Sequence, residues 1–137
     1  MTSAIDRAVR RARRTTYASE DDDLVTLVAA LKAGGRVVFD PRLVRSGQVL
    51  AAHVENERKT THGAGARRKA KGVCPGVPDL VFFDRTLRVL ELKTMRGSTS
   101  DAQRAFLEYA GERGYETALA RGLDAALAQC RAWGYLP

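Results

Sequence analysis

Two apolar, β-rich runs, residues 77–83 and 87–93, are separated only by Asp84-Arg85-Thr86, and a chain with that pattern folds around a central antiparallel hairpin. Strand side chains alternate between faces, so Val89, Glu91 and Lys93 share one side of the second strand while Leu90 and Leu92 share the other. An otherwise apolar strand thereby projects a carboxylate and an ammonium together. Asp79, at the start of the first run, can lie beside Glu91 across the hairpin. Two carboxylates about 4 Å apart repel by roughly 4 kcal/mol at an effective dielectric near 20, and a divalent cation between them is the simplest compensation.

Two carboxylates and one solvent-facing position match the way Mg²⁺ is held, with few protein ligands and several retained waters. The Leu92 carbonyl is a further candidate ligand. A metal so placed polarises a phosphodiester oxygen and lowers the pKa of a water, while Lys93 positions that water or neutralises developing charge. The competing reading is an ordinary charged pair, Glu91 and Lys93, on a wet strand face, with Asp79 closing a turn after Pro78.

The order of the surrounding residues decides between them. Gly76-Val77-Pro78-Asp79-Leu80, then Glu91-Leu92-Lys93, then Gly97-Ser98 leading through Ser100 to Gln103, make a chain that resembles the VRR-NUC family, the virus-type replication-repair nucleases of the PD-(D/E)XK superfamily. The basic stretch ending in Lys71-Gly72-Val73 and a helix headed by Glu20 are similar to that family as well, so the resemblance runs from about residue 20 to the C-terminal helix. The chain departs from it in a long segment over 38–49 and in a basic leader over 7–14. The resemblance implies an α/β fold with a restriction-endonuclease-like αβββαβ core, a mixed central sheet flanked by helices. It implies a DNA endonuclease dependent on Mg²⁺ or Mn²⁺, with Asp79, Glu91, Leu92 and Glu20 at the metal, Lys93 catalytic, and Gln103 and Glu20 assisting. Stand-alone members of the family are small, often phage or prophage encoded, and are expected to act on branched DNA such as Holliday junctions as homodimers; a two-fold dimer places two sites to cut opposing strands symmetrically. Two rivals remain at this stage: a non-catalytic nucleic-acid-binding module with a nuclease fold, and a nuclease acting on linear or nicked duplex.

At 137 residues the chain reads as a basic leader, 1–18, followed by one domain, 19–137. Its formal net charge of +7 favours a polyanionic partner. Positive charge gathers in the leader, at Arg7, Arg10, Arg11, Arg13 and Arg14, and again at Arg58, Lys59, Arg67, Arg68, Lys69 and Lys71 among Gly63, Gly65 and Gly72. The second cluster reads as a flexible Gly-rich loop; a solvated stretch that only aids solubility is the alternative, and its place just ahead of Asp79 favours one that follows a phosphate backbone. The leader reads equally as a phosphate-contacting arm and as a basic tail without that role, and its Ala/Arg repeat suits a floppy or a helical arm. No helix-turn-helix or zinc-finger pattern offers base readout, so recognition by DNA shape and backbone is expected. No apolar run approaches 18 residues and the first 14 lack a signal-peptide core, which predicts a soluble, cytoplasmic protein without membrane or small-molecule cofactor. Cys74 and Cys130 lie far apart without zinc spacing, and are expected to form neither a zinc site nor a disulfide.

Local signals fill in the rest. Ser19 with Asp22 makes an N-cap, Gly34-Gly35 ends that helix, and Leu24, Leu27, Val28 and Leu31 form its buried stripe; Glu20 falls on the same side, where it reads equally as reaching the metal or as complementing the helix dipole. Residues 37–39 and 49–54 bracket Ser46-Gly47 and predict a second hairpin, with Pro41 marking an edge strand or an early end. Glu55 and Glu57, around Asn56, rival Glu20 as a third carboxylate, though as solvated strand-end residues they need no such role. His53 and His62 lack metal spacing and suit a structural or nucleic-acid contact. Ser100 and Gln103 form a capping box, and by resemblance Gln103 also reaches the water or the scissile phosphate. A strand over 115–120 and an amphipathic helix over 123–133 complete the order: helix, three or four strands, helix, strand, helix.

Overall fold

The protein is described here from a computed structural model, covering residues 2–13, 19–55 and 62–137. Helix α1 (Ala4–Arg13) precedes α2 (Glu20–Gly34), then come β1 (Val37–Val38), a 3₁₀ turn (Pro41–Leu43), β2 (Val49–His53), α3 (His62–Ala70), β3 (Leu80–Phe83), β4 (Arg88–Lys93), α4 (Asp101–Glu112), β5 (Glu116–Arg121) and α5 (Leu123–Ala132). The five strands form one mixed sheet in sequence order, β1-β2-β3-β4-β5, flanked by helices, an α/β fold.

The hairpin of β3 and β4 sits at the centre as its alternation demands. Leu80 pairs with Leu90 and Val81 with Val89, a register that sets Asp79 opposite Glu91. Leu80, Phe82, Leu90 and Leu92 enter the main core with Leu27 and Leu31 of α2 and Leu123, Ala126 and Leu127 of α5. Glu91 and Lys93 therefore face the opposite side of the sheet, which α4 covers with the buried Gln103 and Ala110. Because β4 and β5 run parallel, the chain must cross over between them, and α4 is that crossover.

Two expectations fail. Residues 37–39 and 49–54 do not make a hairpin: β1 and β2 pair in parallel, Val37 with Val49 and Val38 with Leu50. Ser46-Gly47 turns the chain before β2 but does not join the strands, because the segment from Phe39 onward, with its 3₁₀ turn at Pro41–Leu43, carries the chain back to start β2 in the same direction. Pro41 does mark an early end, since β1 is a two-residue edge strand. The basic stretch before the site is also no flexible loop over its described part. Residues His62–Ala70 form α3 despite Gly63 and Gly65, since Ala, Arg and Lys favour a helix and together outweigh two glycines. Gly72, at φ +81°, terminates it: the Gly72 N–H donates to the Lys69 carbonyl and the Val73 N–H to the Arg68 carbonyl.

The capping signals are met in full. Ser19 and Asp22 cap α2 reciprocally, and Gly35 ends it with φ 76°. After α5 the chain turns back so that Tyr135 stacks on Phe82 with ring centroids 4.6 Å apart. Its hydroxyl donates to Asp84, and the Arg88 guanidinium lies over both the Trp133 and Tyr135 rings. Cys74 is exposed, Cys130 is buried in the core, and both are free. No helix among the described residues is long and apolar enough to cross a membrane.

Candidate active site

A cavity of about 320 Å³ opens where β3 begins and β4 ends, lined among others by Glu20, His53, Glu55, Asp79, Glu91, Ser100 and Gln103. Backbone donors fix its carboxylates. The Leu92 N–H donates to Asp79 Oδ2 at 2.8 Å, and the Asp79 N–H donates to Glu91 Oε2 at 3.2 Å. This is possible because the β3–β4 ladder stops at Leu80, which leaves the Leu92 backbone facing Asp79 rather than another strand. On the far edge of β4, the Lys93 carbonyl accepts from the Gly122 N–H, so alternation turns the backbone of Leu92, its carbonyl included, toward Asp79.

Glu91 is the centre of the arrangement, only 3% exposed. Gln103 Nε2 donates to its Oε1 at 2.6 Å, and Lys93 Nζ lies 3.5 Å from the same oxygen. Gln103 performs both jobs that its position suggests. Its Oε1 accepts the Ser100 N–H at 2.9 Å to complete the capping box, and its amide nitrogen reaches Glu91, so the cap of α4 holds the site. Gly76 permits the approach: at φ 82°, a Cβ there would lie 2.3 Å from the Ala102 carbonyl oxygen. Packing the 75–77 turn against the first residues of α4 sets Gln103 over Glu91.

The electrostatics follow from this burial. Glu91 is pushed up from 4.5 to about 7, first by burial and second by the charge of Asp79, with Lys93 opposing. Asp79 is raised as well, mainly by burial, against the pull of the Leu92 N–H. Folding thus confines two carboxylates that would each rather be neutral.

The remaining candidates divide. Glu20, the first residue of α2, lines the cavity while its Oε1 accepts the Thr94 N–H at 3.2 Å just beyond β4. Glu55 lines it too. Asn56, Glu57, Arg58 and Lys59 lie outside the described residues. Arg67 and Lys69 are exposed on α3 and Lys71 just after it, whereas Arg68 is half-buried. His53 takes the structural contact expected of it, at a place the sequence did not indicate. At the end of β2 its Nδ1 lies 2.7 Å from the Asp79 carbonyl oxygen, so its ring braces the residue that begins β3. The signal was its place at the tip of a strand next to the Pro-Asp turn, which only the β2–β3 register makes visible.

Among the described residues no three His, Cys, Asp or Glu side chains converge as a metal-binding cluster. The donors that do converge are all hard oxygens: two carboxylates and a backbone carbonyl turned to the same side. That donor chemistry fits Mg²⁺ or Mn²⁺ and not a soft ion, and two carboxylates with raised proton affinity are what a divalent cation relieves.

The sequence model of the VRR-NUC domain matches residues 43–124, which spans β2 to the start of α5 and takes in Asp79, Glu91, Lys93 and Gln103. Among solved structures, a VRR-NUC domain protein superposes with a TM-score of 0.64 over 86% of this chain and 89% of its own, at 19% identity. At that identity the likeness speaks for the fold. A search of curated proteins finds no match.

Proposed function

The chain belongs to the VRR-NUC family, and from that premise we propose that it is a metal-dependent DNA endonuclease selective for branched duplexes, Holliday junctions among them, working as a homodimer. The observation that carries this reading is the meeting of Asp79, Glu91 and Gln103 at one cavity, from two strands and a helix N-terminus, with Lys93 Nζ 3.5 Å from Glu91 behind them.

In this proposal Asp79, Glu91 and the Leu92 carbonyl would hold Mg²⁺ or Mn²⁺, with Glu20 at the margin. When bound, the ion supplies Lewis-acid polarisation of the phosphodiester and a water of lowered pKa. The chain's own residues do the rest. The Leu92 N–H holds Asp79 in one orientation, and Gln103 does the same for Glu91. Lys93, 8% exposed and beside Glu91, stabilises negative charge developing on the phosphoryl oxygens and orients the attacking water. The cationic side chains of Arg67, Arg68, Lys69 and Lys71, with Arg58 and Lys59, would hold the DNA backbone ahead of the site. Two copies related by a two-fold axis would cut opposing strands of a four-way junction.

The test is incubation of the purified protein with labelled four-way junction, nicked duplex and linear duplex, each with Mg²⁺, Mn²⁺ or EDTA. Paired, metal-dependent incisions in the junction are expected. Faster cutting of linear duplex would overturn the branched-substrate assignment, and no cutting of any substrate would overturn the nuclease assignment.

A further inference from the structure

Over its described residues the leader is a helix packed on the domain, with its charged side outward. Helix α1 holds four arginines against one aspartate, and that aspartate is engaged at the cap, where the Asp6 N–H donates to Ser3 Oγ at 3.0 Å and the Ser3 N–H to Asp6 Oδ2 at 3.2 Å. Its apolar side, Ile5 and Val9, packs against the core. Helical spacing then places Arg7, Arg10 and Arg11 together on the opposite side, all exposed. Among the described residues Arg7 donates to the Thr2 carbonyl, and neither Arg7 nor Arg11 forms an ion pair. Like charges at i, i+3 and i, i+4 oppose a helix, and here the fold keeps them ordered.

Arg7 and Arg11, with Ala8 and Ala12, line an open groove of about 550 Å³ between α1 and Ala29 of α2. Small residues on its floor admit a bulky chain, and guanidinium groups one turn apart flank it. The helix runs antiparallel to α2: Ile5 packs over Gly34 at the end of α2, while Arg13 lies 3.8 Å from Asp124 and acts on Asp23 near its start. The start of α2 carries Glu20, which lines the catalytic cavity. The row of arginines thus extends away from the active-site end of the molecule along a second face.

We infer that the Arg7–Arg10–Arg11 face of α1 and the adjoining groove form a second binding surface for the phosphate backbone of duplex nucleic acid, separate from the catalytic cavity. It rests on the proposed nuclease function only in taking nucleic acid, rather than another polyanion, as the partner. A duplex engaged at the cavity would extend an arm along α1, and guanidinium forks bind phosphate oxygens without reading sequence. An anionic membrane fits less well, because interfacial helices insert an apolar face and that of α1 is already packed against the core.

The experiment is fluorescence anisotropy of a labelled duplex in EDTA, where no cutting intervenes, over a range of salt concentrations. Wild type is compared with Arg7→Gln/Arg10→Gln/Arg11→Gln and with the triple lysine replacement at the same positions, all checked by thermal melting. The glutamine variant is expected to bind at least tenfold more weakly at moderate salt, with the log–log salt slope reduced by about 2 to 3 as its phosphate contacts are lost, while the lysine variant keeps most of the slope. Wild-type affinity and slope in the glutamine variant would overturn the proposal. So would equal losses in both variants, which indicate a structural role, or equally tight arginine-dependent binding to vesicles rich in anionic lipid. A separate cleavage assay distinguishes the two proposals: arginine-dependent binding without cutting sinks the nuclease and keeps this surface, and cutting unaffected by the triple change does the reverse.

Discussion

Replacing Asp79 by asparagine removes one of two confined carboxylates yet keeps an oxygen to accept the Leu92 N–H. A carboxyl whose pKa rises on folding costs nothing below its unfolded pKa, where both states are protonated; the cost grows as pH climbs through the shifted range and is complete above it. For Glu91 that range is 4.5 to about 7, and such a shift is worth about 3 kcal/mol. Burial is its larger cause and the Asp79 charge its second, so the carboxylate pair accounts for about 1 kcal/mol. Coulomb's law bounds this from above at ~3 kcal/mol for charges ~5 Å apart at an effective dielectric of 20, and Lys93 offsets part of it. Asp79→Asn should therefore be about 1 kcal/mol more stable than wild type at pH 8 in EDTA, with the gain closing toward pH 4.5. Urea unfolding followed by the fluorescence of Trp133, the chain's one tryptophan, reads this directly. Saturating Mg²⁺ should reverse the order, because a ligand held only by the native state adds about 2.7 kcal/mol at a hundred times its Kd. A variant no more stable than wild type at pH 8, or equally stabilised at pH 4.5, would refute the reasoning.

Further substitutions separate structure from chemistry. Ser100→Ala removes only the α4 cap and should cost about 1 kcal/mol with cleavage kept within about threefold, whereas Gln103→Ala also frees Glu91 and should slow cleavage about tenfold at similar stability; denaturation paired with single-turnover kinetics tells them apart. Gly76→Ala meets both a left-handed backbone and the Ala102 carbonyl, and should lower stability by about 2–4 kcal/mol, read as a fall in Tm. Tyr135→Phe leaves Asp84 without its hydroxyl donor and should cost about 1 kcal/mol in urea unfolding, with cleavage unaffected because the pair lies away from the cavity.

How much of this was legible follows the range of each signal. The β3–β4 hairpin, the face shared by Glu91 and Lys93, and both capping boxes depend on residues a few positions apart, and the sequence displays them openly. The pairing of β1 with β2 depends on how a long connection travels, and Ser46-Gly47 resembles a hairpin turn equally well when it only starts a strand. Helix α3 was hidden because two glycines suggest a loop, although the later Ala, Arg and Lys residues carry the turn. The contact of His53 with Asp79 joins residues 26 apart, so no local pattern contains it. The double role of Gln103 was visible as two separate readings, and the fold shows that one side chain meets both.

The central claim is that Lys93, held 3.5 Å from Glu91, acts in the chemistry and not in binding. Single-turnover cleavage of a four-way junction by wild type and Lys93→Ala in Mg²⁺, with junction affinity measured alongside in Ca²⁺, tests it most directly. The account predicts a rate loss of about 100-fold or more with affinity changed by no more than about threefold. Wild-type cleavage by the variant, or junction binding without cleavage by wild type in any metal, would contradict it.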